Sequence, residues 1–180
     1  METISILLAD GHEAYRDGLA RAIAADPRLE LVAEAADGRR ALELVLELEP
    51  DVAVLDVRMP GLDGMEVLNA IKRDELSTRV VFLSAYVESD LVYRAIAMGA
   101  GAYLSKEADR AAIFDAVAAV ARGEAFLSPE IQTGLTIPTV IQPLTYLAVL
   151  GLGVAAAVGA AIYPARRAAL LDVTDALQYE

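Results

Sequence analysis

The sequence predicts an α/β domain with a doubly wound parallel sheet, followed by a separate apolar segment. Three observations carry that prediction. Short β-type runs alternate five times with amphipathic helical stretches, the pattern of a parallel sheet covered by helices on both faces. Two of the runs, ISILLAD (4–10) and VAVLD (52–56), are almost continuously apolar and end in Asp, as expected of central strands buried on both sides. The charge is also divided unevenly. Residues 1–130 hold 24 acidic and 13 basic side chains, whereas residues 131–180 hold Asp172, Asp175, Glu180, Arg166 and Arg167 alone.

The elements follow in order. Strand 4–10 leads into a helix over 12–25, where His12 reads as a residue at the helix start. LELVAEA (29–35) is the second strand. Asp37 then caps a helix over 37–48, GRRALELVLEL. Strand 52–56 is followed by Pro60 and Gly61, suited to a tight turn, and by Gly64, which gives backbone freedom before a helix over 64–73. VVFLSA (80–85) is the fourth strand. Ser89 or Asp90 caps the helix over 88–98, with Gly99 just past its end. GAYLS (101–105) and a helix over 109–122 complete five β–α units.

In a sheet of this kind ligands bind outside the carboxyl ends of the strands, where the strand order reverses. With the flavodoxin-like order 2-1-3-4-5, strands one and three are neighbours and Asp10 and Asp56 project together. No Arg or Lys is locally paired with them, so the expectation is a divalent-cation site rather than a salt bridge.

Composition excludes several chemistries. There is no cysteine, and hence no disulfide, thiolate metal site or Cys nucleophile; with His12 as the single histidine, multi-His metal sites are excluded too. A net charge of −12 argues against a basic face for nucleic acid. METISILLAD has neither a basic start nor a long apolar stretch, so the reading is that no secretory signal is present and the first domain folds in the cytoplasm.

Four strings, LLADGH (7–12), VAVLDVRMPGLDGMEVL (52–68), VVFLSAY (80–86) and GAGAYLSKEA (99–108), taken in order, resemble a response-regulator receiver domain over residues 1–128. The resemblance is to the subgroup usually linked to a helix-turn-helix output. It implies that Asp56 accepts a phosphoryl group from a histidine kinase, and that Asp10, Asp56 and the backbone carbonyl of Arg58 hold Mg²⁺. It further implies that Ser84 is the switch hydroxyl, Tyr103 an aromatic rotamer switch and Lys106 the cation meeting the phosphoryl group. No independent enzyme activity is implied, because such a domain assists its own phosphotransfer. The implied signalling face, and possible homodimer interface, is helix four, strand five and helix five. The chemistry agrees: a carboxylate attacking phosphorus needs positioning and neutralisation of charge on the equatorial oxygens.

One position departs from the family pattern. The family normally carries two consecutive acids after strand one, and the second is here Gly11. Losing that carboxylate should weaken Mg²⁺ binding, since affinity for a hard cation follows ligand charge. The alternative is therefore a degenerate receiver that acts as a protein-interaction module. A haloacid-dehalogenase-like phosphatase would need Asp where Arg58 stands. GLGVAA (151–156) fits a dinucleotide-binding pattern formally but leaves no room for the rest of that unit.

Beyond a linker at 129–143, LTYLAVLGLGVAAAVGAAIY (144–163) is a 20-residue apolar stretch, about 30 Å long as a helix and so long enough to span a bilayer. Tyr146 and Tyr163 flank it as interfacial anchors, and Arg166 and Arg167 follow in a tail over 164–180. This tail resembles the last transmembrane helix of FtsX-like ABC-transporter permeases, with Val173 where Pro is usual. The expectation is a receiver on the cytoplasmic side attached to the inner membrane, without direct nucleic-acid binding. Deletion or artificial joining of two genes is the other origin of such a fusion. The two arginines would themselves favour a cytoplasmic tail, which a single spanning helix cannot combine with a cytoplasmic receiver.

Overall fold

A computed structural model describes residues 3–127. Eleven elements alternate along this span: β1 (Ile4–Ala9), α1 (Glu13–Ala25), β2 (Leu29–Ala35), α2 (Gly38–Leu48), β3 (Val52–Asp56), α3 (Gly64–Arg73), β4 (Arg79–Ser84), α4 (Ser89–Ala97), β5 (Ala102–Ser105), α5 (Arg110–Ala121) and β6 (Phe126–Leu127). The sheet order is β2-β1-β3-β4-β5-β6, with every pairing parallel. The expected 2-1-3-4-5 order is present. A sixth strand, two residues long, extends it beyond β5; FL is too short to show any alternation in sequence.

Strand periodicity sorts the core into two layers. Leu7, Ala53, Leu55, Val80, Phe82 and Tyr103 join one cluster with residues of α2, α3 and α4. Their neighbours Ile6, Leu8, Val52, Val54, Val81, Leu83 and Leu104 join the other, with residues of α1 and α5. A one-residue slip of any central strand would exchange these faces, so register is strongly specified. Each Leu, Ile or Val side chain fully buried this way is worth about 1.5–3 kcal/mol.

The helix starts show how local chemistry sets boundaries. Asp37 caps α2 as expected, accepting from Arg40 N at 2.9 Å. α3 begins with a full capping box between Asp63 and Glu66, which the sequence reading passed over. α4 corrects an expectation: its N-cap is Glu88 without a side-chain cap bond, and Ser89 and Asp90 lie inside the first turn. Gly99 does end this helix, at φ +94°. Gly64 is needed for space and not for backbone freedom, because a Cβ there would stand 2.4 Å from the Asp56 carbonyl oxygen.

The apolar stretch 144–163, with Tyr146, Tyr163, Arg166 and Arg167, lies outside the described residues, as do the whole linker at 129–143 and the tail at 164–180. Among the described residues no helix is long and apolar enough to cross a membrane.

Candidate functional site

The site forms where the strand order reverses, between β1 and β3. Ala9 pairs with Leu55, so the next residue on each strand, Asp10 and Asp56, leaves the sheet at the same edge. β4 and β5 bring Ser84 beside Ser105, with Lys106 immediately after. Four segments far apart in sequence thus deliver their polar residues to one end of the sheet.

Asp10 and Asp56 are almost fully buried, at 2% and 4% exposure. Lys106, 11% exposed, places Nζ at 2.7 Å from Asp10 Oδ2 and at 2.7 Å from Asp56 Oδ2. This corrects the expectation that the two carboxylates stand without a salt bridge. The cation comes from 50 residues beyond Asp56 and is invisible to any local pairing rule. Backbone amides complete the cradle: His12 N donates to Asp10 Oδ1 at 2.8 Å and Arg58 N to Asp56 Oδ1 at 3.2 Å. Two buried carboxylates against one ammonium leave a formal charge of −1, which the low-dielectric surroundings make costly.

The remaining predicted residues surround this pair. Ser84 is buried, and its Oγ accepts from Tyr86 N at 3.1 Å while its carbonyl accepts from Lys106 N at 2.9 Å, tying the loop after β4 to the lysine. Tyr103 is buried with its ring 6.1 Å from Phe82, and its hydroxyl donates to Tyr86 O at 2.7 Å. Burial pushes that phenol above its ordinary range, partly offset by the Ser84 hydroxyl. The Arg58 guanidinium lies 4.0 Å from the centre of the Tyr86 ring, so the loops after β3 and β4 are joined at the surface as well.

Sequence reasoning missed three participants. His12 Nδ1 approaches Asp10 Oδ1 at 3.4 Å and Asp56 Oδ2 at 3.9 Å. Tyr15 sits with its ring 5.0 Å from Lys106 Nζ, and burial together with Asp10 and Asp56 pushes its hydroxyl up to about 12. Tyr86 accepts the Tyr103 hydroxyl and carries Arg58. The signal for His12 was its place two residues after Asp10; Tyr15 had no comparable signal, because one turn of α1 carries it over the strand end.

The donor set fits a divalent cation. Asp10, His12 and Asp56 each offer one ligand atom, and those atoms lie within 4.8 Å of one another. Carboxylate oxygens are the hard donors such an ion takes. The fit is leaner than in a site with two acids after β1, since Gly11 brings no donor.

The family model for the response regulator receiver domain matches residues 6–118. The chain belongs to the response regulator receiver family. Among curated relatives, the transcriptional regulatory protein NarL of Mycobacterium tuberculosis (strain ATCC 25618 / H37Rv) is 40% identical over 134 residues, 74% of this chain and 62% of the relative. LiaR of Bacillus subtilis (strain 168) is 38% identical over 128 residues, 71% and 61% of the two chains. The chain therefore matches less than two thirds of the length of these regulators. Among solved structures, the signal receiver domain of NarL from M. tuberculosis superposes with a TM-score of 0.67 at 41% identity, covering 69% of this chain and all of that one. A DNA-binding response regulator of the LuxR family from Staphylococcus aureus gives a TM-score of 0.63 at 25% identity, with 66% and 98% covered. Receiver domains of response regulators typically bind Mg²⁺ and interact with histidine kinases.

Proposed function

We propose that Asp56 accepts a phosphoryl group from a histidine kinase and that the receiver signals by a change on the face of α4, β5 and α5. The observation that carries this reading is the pair of buried carboxylates sharing the Lys106 ammonium at 2.7 Å each, at the carboxyl end of the sheet. In the transfer, an Asp56 carboxylate oxygen forms a bond to phosphorus as the phosphorus–nitrogen bond of the donor phosphohistidine breaks. Lys106 then exchanges one carboxylate contact for a phosphoryl oxygen, and the Ser84 hydroxyl turns from Tyr86 N towards another. Asp10, Asp56 and the Arg58 carbonyl would hold the cation, which supplies the remaining charge neutralisation when bound. Turning of Ser84 releases the loop through Tyr86, to which the Tyr103 hydroxyl is bonded, and this supports a coupled movement of the Tyr103 ring. Exposed Val87 and Tyr93 beside this loop and on α4 offer apolar surface to a partner or a second copy.

Intact-mass spectrometry of the full chain with Mg²⁺ and a small-molecule phosphodonor tests the reading. The expected result is one phosphoryl adduct, absent from Asp56→Asn. If the parent protein stays unlabelled while Gly11→Asp is labelled, the degenerate interaction module takes its place.

The residues from 129 on supply a second part of the proposal. Their sequence reads as a linker at 129–143 and an apolar stretch at 144–163, so we assign the output to protein contact near a membrane. Pelleting that resists carbonate supports the attachment; sequence-independent retention of duplex DNA by the full chain at physiological salt counts against the protein-contact output.

A further inference from the structure

We infer that His12 is a further protein ligand of the cation site, beside Asp10, Asp56 and the Arg58 carbonyl, and turns its preference from Mg²⁺ towards Mn²⁺ and Co²⁺. This deepens the phosphoacceptor reading and rests on it only in taking Asp10 and Asp56 as ligands.

The geometry is that of donors around one ion. Nδ1 stands 3.4 Å from Asp10 Oδ1 and 3.9 Å from Asp56 Oδ2. At 3.4 Å an N–H···O bond is poor, since such bonds cluster at about 2.9–3.0 Å. Neighbouring ligands on an octahedral ion with bonds of about 2.1 Å are about 3.0 Å apart, and opposite ones about 4.2 Å. The two measured separations each lie a few tenths of an ångström from one of these values, 3.4 Å from the adjacent and 3.9 Å from the opposite spacing. All three donor atoms lie within 4.8 Å of one another.

The backbone explains why the ring is there. His12 is the N-cap of α1, at φ −94° and ψ 102°, yet its side chain makes no capping bond. The usual use of an N-cap side chain is thus forgone. Its amide is instead fixed on Asp10 Oδ1 at 2.8 Å, which ties the residue to the carboxylate it would assist. The imidazole is 76% exposed whereas Asp10 and Asp56 are fixed in the sheet edge, so the ring has the freedom to close the last few tenths of an ångström.

Chemistry sets the preference. Gly11 supplies no carboxylate, so the protein offers two acids, the Arg58 carbonyl and one imidazole. Replacing a charged oxygen donor by a neutral nitrogen lowers the electrostatic attraction for Mg²⁺, which takes oxygen ligands and sheds water reluctantly. Imidazole raises affinity for first-row transition ions in the order Mn²⁺ < Co²⁺. Lys106, 2.7 Å from both carboxylates, supplies the balancing charge for the second of them.

Calorimetric titration of the full chain with Mg²⁺, Mn²⁺ and Co²⁺, together with pulsed electron paramagnetic resonance of the Mn²⁺ form, decides the matter. The expected result is nitrogen modulation from a bound imidazole and tighter binding of Mn²⁺ than of Mg²⁺. His12→Ala should remove the modulation and weaken Mn²⁺ and Co²⁺ by about tenfold or more, the scale of losing a group that supports a metal site, with Mg²⁺ changed less than twofold. Mn²⁺ bound without nitrogen modulation, equal affinities in parent and variant, or no cation binding at all would overturn the inference. If His12→Ala fails to fold, the modulation in the parent protein and its loss in His12→Gln decide alone. A phosphoryl adduct without nitrogen modulation removes this inference and leaves the phosphoacceptor; modulation without an adduct does the reverse.

Discussion

The two ends of the central strands handle acidic residues in opposite ways. At the amino end, Asp51 before β3 is exposed and held by neutral donors: Ser5 N at 2.8 Å and Ser5 Oγ at 2.6 Å, while Ser5 Oγ accepts from Asp51 N at 2.9 Å. That pairing is closed and demands nothing further. At the carboxyl end, Asp10 and Asp56 are buried and share a single flexible ammonium, which leaves negative charge unbalanced. One end fastens β1 to β3, and the other keeps an excess of negative charge that a cation can neutralise.

Substitutions at the two ends should separate these roles. The largest contrast pairs Asp56→Asn, which abolishes the phosphoryl adduct, with Asp51→Ala, which keeps the adduct and costs about 1 kcal/mol in denaturant unfolding through lost hydrogen bonds. Next comes Lys106→Met, which leaves two buried carboxylates uncompensated and should cost about 3 kcal/mol in cation-free buffer. A divalent cation should recover more stability in this variant than in the parent, as read from thermal unfolding with and without Mn²⁺.

Glycines give a smaller contrast. Gly64→Ala pushes a Cβ against the Asp56 carbonyl and Phe82, so it should cost about 1–3 kcal/mol and slow adduct formation. Gly18→Ala, on α1, meets nothing nearer than 3.9 Å and should gain about 0.5–1 kcal/mol with labelling unchanged. Chemical unfolding and time-resolved mass spectrometry check both.

The smallest effect belongs to Tyr15. Its hydroxyl is raised in the folded protein from 10.0 to about 12, chiefly by burial. The folded state therefore holds this proton more tightly, so the associated stability is complete below pH 10 and is lost as pH rises towards 12. In Tyr15→Phe a tyrosinate absorbance step near pH 12 should disappear and the alkaline fall in stability should be shallower.

Much of this was legible in sequence for specific reasons. Apolar runs ending in Asp marked β1 and β3, and period-2 and period-3.6 patterns placed the other strands and all five helices to within one residue or two. Asp37 and Gly99 behaved as their local chemistry requires. The misses share a cause: they depend on atoms from other elements. The α4 cap lay at Glu88, two-residue β6 exists because β5 is there to pair with, and Gly64 answers to the Asp56 carbonyl eight residues earlier in the chain.

By itself the sequence determined the five β–α units, the two-layer core and the arrival of Asp10, Asp56, Ser84 and Lys106 at strand ends, because periodicity and chain order are local properties. Tertiary structure alone decided that Lys106 bridges both carboxylates, that the His12 ring faces them and that Tyr15 leans over the lysine. Those contacts are set by parallel register and by the angle at which α1 leaves β1, and Coulomb energy at 3 Å depends on separations that no residue order encodes.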